Sequence, residues 1–125
     1  MSNILRYERE HEAELLTLLK NELDWNSFVS EGAINKFKKV LLESETYICK
    51  SRGNICGYIR GLVDGFAIYI SELYVSPRHR GNGYGAKLLS KIKHAHPGQE
   101  IYVLSDEDIY YEKLGCRRIG SVFQL

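Results

Sequence analysis

The stretch ISELYVSPRHRGNGYGAKLL, residues 70–89, combines three kinds of local pattern. A run of β-branched and aromatic residues ends at Pro77, and a helical pattern begins a few residues later. Between them stand two arginines, Arg78 and Arg80, and three glycines at every second position, Gly81, Gly83 and Gly85. Glycines where a strand passes into a helix let backbone N–H groups surround an anion, and the arginines add positive charge. This corner therefore predicts a binding site for a phosphate-bearing ligand.

A glycine-rich turn also has a simpler interpretation, a tight connection with nothing bound. The spacing differs from the dinucleotide pattern G-x-G-x-x-G, and no Lys-Ser/Thr pair follows as in a Walker turn. The preceding strand, the following helix and the two arginines favour ligand binding over the purely structural turn.

Working outward, the hydrophobic period predicts the remaining elements. An amphipathic helix is expected over residues 10–23, with Leu15, Leu16, Leu19 and Leu23 on one face, and a second helix carries a stripe from Ala33 to Leu41. Strands are predicted at residues 4–7, 45–50, 55–63, 66–75, 100–104 and 118–123. The glycine turn leads into a helix that ends at His96-Pro97-Gly98, and a last helix covers residues 106–114.

Asp64-Gly65 between two of these runs predicts a tight hairpin with positive φ angles, so three strands should form an antiparallel meander. Strand, helix and strand around the glycine turn form a βαβ unit, which requires a parallel pair. The expected fold is α+β, a mixed and mostly antiparallel sheet with helices on both faces. A chain of 125 residues without a linker or repeat is predicted to be a single domain, residues 1–125.

Composition narrows the class of partner. A formal net charge of +1 argues against a nucleic-acid binder, and no apolar run is long enough to span a membrane. The three cysteines lack metal-ligand spacing, and Cys49 and Cys56 are expected to be buried thiols rather than a disulfide. No secretory signal segment is visible at the N-terminus, which favours a cytoplasmic protein. No residue pattern implies a metal.

Two segments resemble a known family. LYVSPRHRGNGYGAKLL is similar to the acetyl-CoA-binding motif of the GNAT superfamily of N-acetyltransferases, Arg/Gln-x-x-Gly-x-Gly/Ala, with Arg80, Gly83 and Gly85 in those positions. YYEKLGC, residues 110–116, resembles the F-Y-x-K-x-G-F stretch of the helix that follows in that family. The order of predicted elements also resembles the GNAT fold.

The resemblance implies how acetyl-CoA, the cosubstrate, is held. Backbone amides of the turn would bind the pyrophosphate, and the strand before it would pair with the pantetheine arm, the Leu73 amide polarising the thioester carbonyl. The implied donor-binding residues are Leu73, Tyr74, Val75, Arg80, Gly81, Asn82, Gly83, Tyr84 and Gly85.

The resemblance also implies that Tyr111 protonates the departing thiolate, which suits a phenol that is protonated at neutral pH. The alternative interpretation of Tyr111 is an aromatic side chain of the helix that packs on the sheet. Glu72 is the candidate base: strict alternation puts it on one strand face with Ile68, Ile70 and Tyr74, an apolar setting that raises a carboxylate pKa. The alternative interpretation of Glu72 is a carboxylate on a solvated strand edge, or one paired with an arginine. The rivals for the role of base are a chain of waters and Ser71, which would take the position through the bulge that the resemblance implies for this strand.

The acceptor side is open. Asp24 and Trp25 lie where this family often borders the acceptor pocket, but Trp25 is expected to belong to the core. A hairpin that many members add after the last strand is missing, so a homodimer that completes the site is possible. The sequence predicts an N-acetyltransferase acting on a small-molecule or protein amine, with a non-catalytic acyl-CoA sensor or a subunit of a larger assembly as alternatives.

Overall fold

A computed structural model describes residues 2–125 as five strands and four α-helices. The strands are β1 (Ser2–Arg6), β2 (Glu45–Ser51), β3 (Asn54–Val63), β4 (Ala67–Val75) and β5 (Glu100–Val103). The helices are α1 (Glu12–Lys20), α2 (Ile34–Glu43), α3 (Tyr84–Ala95) and α4 (Asp108–Lys113). Among these residues no helix combines the length and apolar character needed to cross a bilayer.

The strands form one sheet in the order β1-β2-β3-β4-β5. The first four pair antiparallel, and β4 pairs parallel with β5 after the chain crosses over through α3. A parallel neighbour requires such a crossover, because the chain must return to the starting edge of the sheet. The mixed, mostly antiparallel sheet is therefore confirmed.

Two hydrophobic clusters cover the two faces of the sheet. On one face α1 and α2 pack on the strands through a buried group that contains Leu15, Leu19, Phe37, Leu41, Tyr58 and Tyr74. On the other face α3 contributes Leu88 and Ile92, four residues apart and both fully buried, against Ile59, Ile68 and Ile70. Helices on both faces are thus confirmed, and the sheet is the middle layer of the molecule.

Cys49 and Cys56 lie in the second cluster as free thiols, with their Sγ atoms 3.1 Å apart across β2 and β3. Both are fully buried, and burial raises the pKa of each thiol. The expectation of buried thiols is confirmed.

The predicted hairpin at Asp64-Gly65 forms, but with a different turn. Only Gly65 has a positive φ, +90°, and the Asp64 carboxylate accepts the N–H groups of Phe66 and Ala67. The tight pair of positive φ angles occurs instead at Arg52 and Gly53, between β2 and β3. The hydrogen bonds that the Asp64 carboxylate accepts hold this turn without a second residue at positive φ.

Two sequence predictions are wrong, one at the end of a helix and one over a whole strand. The first helix stops at Lys20, so Leu23 is 86% exposed instead of lying on the buried face. Residues 118–123 form no strand, and Ile119 and Phe123 of that segment are 62% and 84% exposed. Alternating residues make a strand only where a neighbouring edge supplies hydrogen bonds, and β5 has only four residues to offer.

Candidate active site

The site is built on the second half of β4. β3 pairs with β4 as far as Val75, whereas β5 pairs only from Ala67 to Ile70. A last hydrogen bond, from Leu104 N–H to the Ile70 carbonyl, closes that parallel ladder at 3.2 Å. Within residues 2–125, no strand pairs with the outer edge of residues 71–75, which leaves backbone groups available to a ligand.

Peptide groups of successive strand residues point to opposite edges. Ser76 N–H donates to the Cys56 carbonyl of β3, 2.8 Å away, so the Ser76 peptide faces the inner edge. By alternation Leu73 and Val75 direct their N–H and C=O groups to the open edge. The Val75 carbonyl accordingly accepts from Arg80 Nε at 2.9 Å rather than from β3.

A β-bulge separates the two halves of β4. Arg60 of β3 lies opposite Glu72, while the next residue, Gly61, lies opposite Ile70, so Ser71 is the extra residue. Ile70 therefore points to the α3 face, whereas Glu72 points to the face of α1 and α2 beside Tyr58. The expectation that Glu72 shares a face with Ile68 and Ile70 is wrong, because strict alternation does not survive the bulge, while the expected place of Glu72 beside Tyr74 is confirmed.

Glu72 is instead the centre of a buried polar network. Arg60 binds both carboxylate oxygens, with Nε 2.8 Å from Oε1 and a terminal nitrogen 2.7 Å from Oε2. The Tyr58 hydroxyl donates to Oε1 at 3.1 Å, and burial together with the Glu72 charge raises the pKa of Tyr58 well above 10. Arg60 also reaches Ser71 Oγ and Ser44 Oγ. Glu72, 6% exposed, is thus a paired carboxylate.

The glycine turn lies between β4 and α3. A short 3₁₀ turn, Pro77–His79, follows β4, and Gly81 and Gly83 both have φ of +82°. A Cβ at either position would meet no atom within 4 Å, so these glycines are required by backbone conformation and not by space. Gly83 is the N-cap of α3, whose first-turn N–H groups have no partner within the helix. Such a terminus suits an anion.

Gly85 makes room for a side chain from a distant helix. It lies in the first turn of α3, and a Cβ there would overlap the hydroxyl of Tyr110 on α4. Tyr110 therefore docks α4 against the start of α3, a contact that the sequence patterns did not predict. The sequence signal that could have predicted this contact is Gly85 itself, a glycine inside a helix at a position where no positive φ is needed.

Tyr111 follows on the same short helix. Its ring lies 5.1 Å from that of Tyr110 in an edge-on arrangement. Partial burial raises the pKa of Tyr111 well above 10, and the neighbouring Tyr110 and Asp106 add to the effect. A phenol in this setting stays protonated at neutral pH and is able to donate a proton.

One carboxylate that the sequence patterns overlooked, Glu22, joins the turn to the face of α1 and α2. Its Oε1 accepts from the Tyr74 hydroxyl at 2.9 Å and lies 3.5 Å from a terminal nitrogen of Arg80. Trp25 stands beside them as expected for a core residue, partly buried with its ring 5.1 Å from that of Tyr74. Asp24 is exposed.

The comparisons with known proteins fit this geometry. The model of the acetyltransferase (GNAT) domain matches residues 43–117. The chain belongs to the GNAT acetyltransferase family. A search of curated proteins found none that matches the sequence.

Solved structures share the GNAT fold at low sequence identity. Aminoglycoside N-acetyltransferase AAC(6')-Iy, solved with CoA, superposes with a TM-score of 0.79 at 13% identity, covering 100% of this chain and 93% of the other. An aminoglycoside acetyltransferase from an uncultured soil metagenomic sample has a TM-score of 0.75 at 23% identity, covering 100% and 97%. A GNAT protein from Streptococcus pneumoniae also gives 0.75, at 18% identity, covering 100% and 98%. The GNAT fold is therefore shown for this chain.

Proposed function

We propose that this GNAT protein transfers the acetyl group of acetyl-CoA to a primary amine by direct attack in a ternary complex. The observation that carries the proposal is the open edge of β4 beside the glycine turn. Leu73 and Val75 offer peptide groups in strand geometry, and the N-terminus of α3 follows eight residues after Val75, at Gly83. An extended arm that ends in phosphates matches these two features taken together.

In the proposed reaction the amine nitrogen bonds to the thioester carbonyl carbon and the carbon–sulfur bond then breaks. The Leu73 N–H, on the open edge, stabilises the oxyanion that develops at the carbonyl. Tyr111 gives its proton to the departing thiolate. Its raised pKa keeps the phenol protonated at neutral pH, as the role requires, and also makes it a weaker acid than an unperturbed tyrosine. The amine, neutral when it attacks, loses one proton to a base or to water, and Tyr111 regains a proton from solvent, so atoms and charge balance.

The acceptor of that amine proton is the least supported part of the proposal. Glu72 as the base stays a prediction, and both of its oxygens already accept hydrogen bonds from Arg60 or Tyr58. Among the residues that the structure describes, Oε2 accepts from Arg60 alone and keeps one lone pair available, but protonation of the carboxylate would rearrange the ion pair with Arg60. A chain of waters leading to the amine needs no such rearrangement.

A thiol-release assay with acetyl-CoA against a library of primary amines tests the function. We expect release that depends on both substrates. Tight binding of CoA without release for any amine would instead indicate an acyl-CoA sensor, and activity that appears only with an added protein would indicate a subunit of a larger assembly. Failure to bind CoA would overturn the proposal. The homodimer remains a prediction, for which the tail at residues 118–123 offers exposed apolar side chains.

Glu72→Gln distinguishes the two routes for the proton. If Glu72 is the base, the variant loses about 10²–10⁴ in kcat/KM, and the acidic limb of the pH profile disappears. If water carries the proton, the limb persists and the main effect is a lower melting temperature, because the pairing with Arg60 is weakened. Ser71→Ala, on the bulge, tests Ser71, the remaining candidate for the base.

A further inference from the structure

Arg80 connects two parts of the site in this structure. Its Nε donates to the Val75 carbonyl on the open edge of β4, and one terminal nitrogen lies 3.5 Å from Glu22 Oε1. The guanidinium is more than half exposed, which leaves room for it to move. Arg80 also immediately precedes Gly81 of the anion-binding turn, so the side chain has a second possible partner close by.

Glu22 has the chemistry of a cation site. The Tyr74 hydroxyl holds its Oε1 in place, and the ring of Trp25 packs edge-on against Tyr74. The side chain is 22% exposed, so the carboxylate is partly open to solvent. A carboxylate beside aromatic rings suits an ammonium or guanidinium group, and here Arg80 is the cation that occupies it.

The contacts of Arg80 compete with a bound donor as proposed above. A donor arm paired with the open edge needs the Val75 carbonyl, which Arg80 Nε now occupies. The two phosphates of the pyrophosphate at the glycine turn together carry two negative charges, against one on Glu22, so they attract the guanidinium more strongly than the carboxylate does. Both effects pull Arg80 off Glu22.

We propose that Glu22 binds a cationic group of the acceptor and that Arg80 covers this carboxylate until CoA draws the guanidinium away. The inference rests on the proposed function, and it names the acceptor class: a primary amine that carries a second positive charge.

The first test is calorimetric titration of CoA into the full-length chain and its Glu22→Gln variant. The glutamine keeps an acceptor for Tyr74 but releases Arg80, so CoA should bind about threefold tighter than to the unchanged protein, the scale of an exposed ion pair. Asp24→Asn is the matched control, because it removes a nearby exposed charge that has no contact with Arg80. Glu22→Asp, with a shorter reach, serves if the glutamine variant does not fold.

Equal CoA affinity in the Glu22→Gln and Asp24→Asn variants would overturn the inference, because the gain would then be general electrostatics. Weaker binding in Glu22→Gln would also overturn it. If the unchanged protein binds no CoA, the proposed function itself fails, so the two failures are distinguishable.

The second test compares acceptors that differ in one charge. Straight-chain monoamines are assayed against diamines of the same length, pentylamine with 1,5-diaminopentane for example. We expect kcat/KM to be about tenfold higher for the diamines, and Glu22→Gln to abolish that preference through KM with little change in kcat. A preference for monoamines, or one that survives the substitution, would contradict the cation site. Transfer to no amine at all would overturn the proposed function.

Discussion

The two halves of β4 have the same strand conformation but different neighbours. Residues 67–70 are paired on both edges, and the side chains of Ile68 and Ile70 are buried against α3. Residues 71–75 are paired on one edge only, and their inward side chains on the face of α1 and α2 are Glu72 and Tyr74. One extra residue, Ser71, separates these halves.

The difference shows how one strand serves both stability and ligand binding. The bulge reverses which face each side chain meets at the same point where the parallel ladder to β5 ends. The first half therefore excludes water on the face of α3, while the second half combines buried polar side chains with peptide groups that no strand within residues 2–125 pairs with on the outer edge. We expect substitutions in the first half to affect stability alone and those around the second half to affect binding and catalysis as well.

The largest effect is expected from Arg60→Ala, which leaves Glu72 buried without its partner. We expect the free energy of unfolding to fall by about 3–5 kcal/mol, the cost of an uncompensated buried charge. Denaturant unfolding measures it. The double variant Arg60→Met with Glu72→Met is the control, since it removes both charges and should recover most of the loss. If the single variant is as stable as the double variant, the pair does not anchor the second half.

Ile68→Ala tests the first half. Removing a fully buried side chain between β4 and α3 should lower the free energy of unfolding by about 3 kcal/mol, from lost burial and the cavity left behind. Calorimetry should find the CoA dissociation constant unchanged, because Ile68 lies where both edges are paired. A tenfold weaker affinity in the folded variant would break the division between the halves.

Tyr111→Phe is expected to lower kcat about 10²-fold, which is about 2.7 kcal/mol of transition-state stabilisation. The control is Tyr69→Phe, because Tyr69 lies on the first half of β4 and is 45% exposed. Its kcat should equal that of the unsubstituted protein. Steady-state thiol release measures both. Because the pKa of Tyr111 is raised above 10, the unchanged enzyme should show no alkaline loss of kcat below pH 10 from this group. An alkaline limb near pH 8 that disappears in Tyr111→Phe would contradict that assignment.

Gly83→Val has the smallest expected effect, a CoA dissociation constant raised about tenfold. A β-branched residue at φ +82° costs about 1–2 kcal/mol and shifts the turn away from its anion-binding conformation. Gly98→Val is a closely matched control, because Gly98 has φ of +81° and open space around it but lies at the other end of α3. Both variants should lose stability, and only Gly83→Val should lose affinity. Equal affinities would show that the turn does not bind the phosphates.

Local patterns predicted much of the fold because they report local conformation. The period-two runs, the helical stripes and the glycine turn each depend on residues close in sequence, and β2, β3, β4 and α3 begin and end within two residues of where those patterns change. The wrong predictions also came from local patterns, which do not show where a chain segment loses its neighbours. Leu23 matched a helical face that the chain leaves at Lys20, and residues 118–123 matched a strand for which no edge is available.

The candidate site was predicted in its backbone and only partly in its side chains. Arg80, Gly81 and Gly83 lie together at the start of α3, as the spacing indicated. Glu72 was recognised as a carboxylate in the right strand, but its partner Arg60 lies 12 residues away across a bulge. No sequence motif pointed to Glu22, which lies 58 residues before Arg80.

The sequence by itself therefore determined the order of the elements, the parallel crossover and the positive-φ glycines of the turn, because backbone dihedrals and hydrophobic periods are set by neighbouring residues. A bulge at Ser71 was one alternative from the sequence, and only the tertiary structure decided that it forms, on which face Glu72 lies, that Tyr110 docks on Gly85 and that Arg80 contacts Glu22. These depend on strand register and on packing between distant segments. One extra residue exchanges the two faces of a strand, and the period-two pattern of β4 did not show where that exchange occurs.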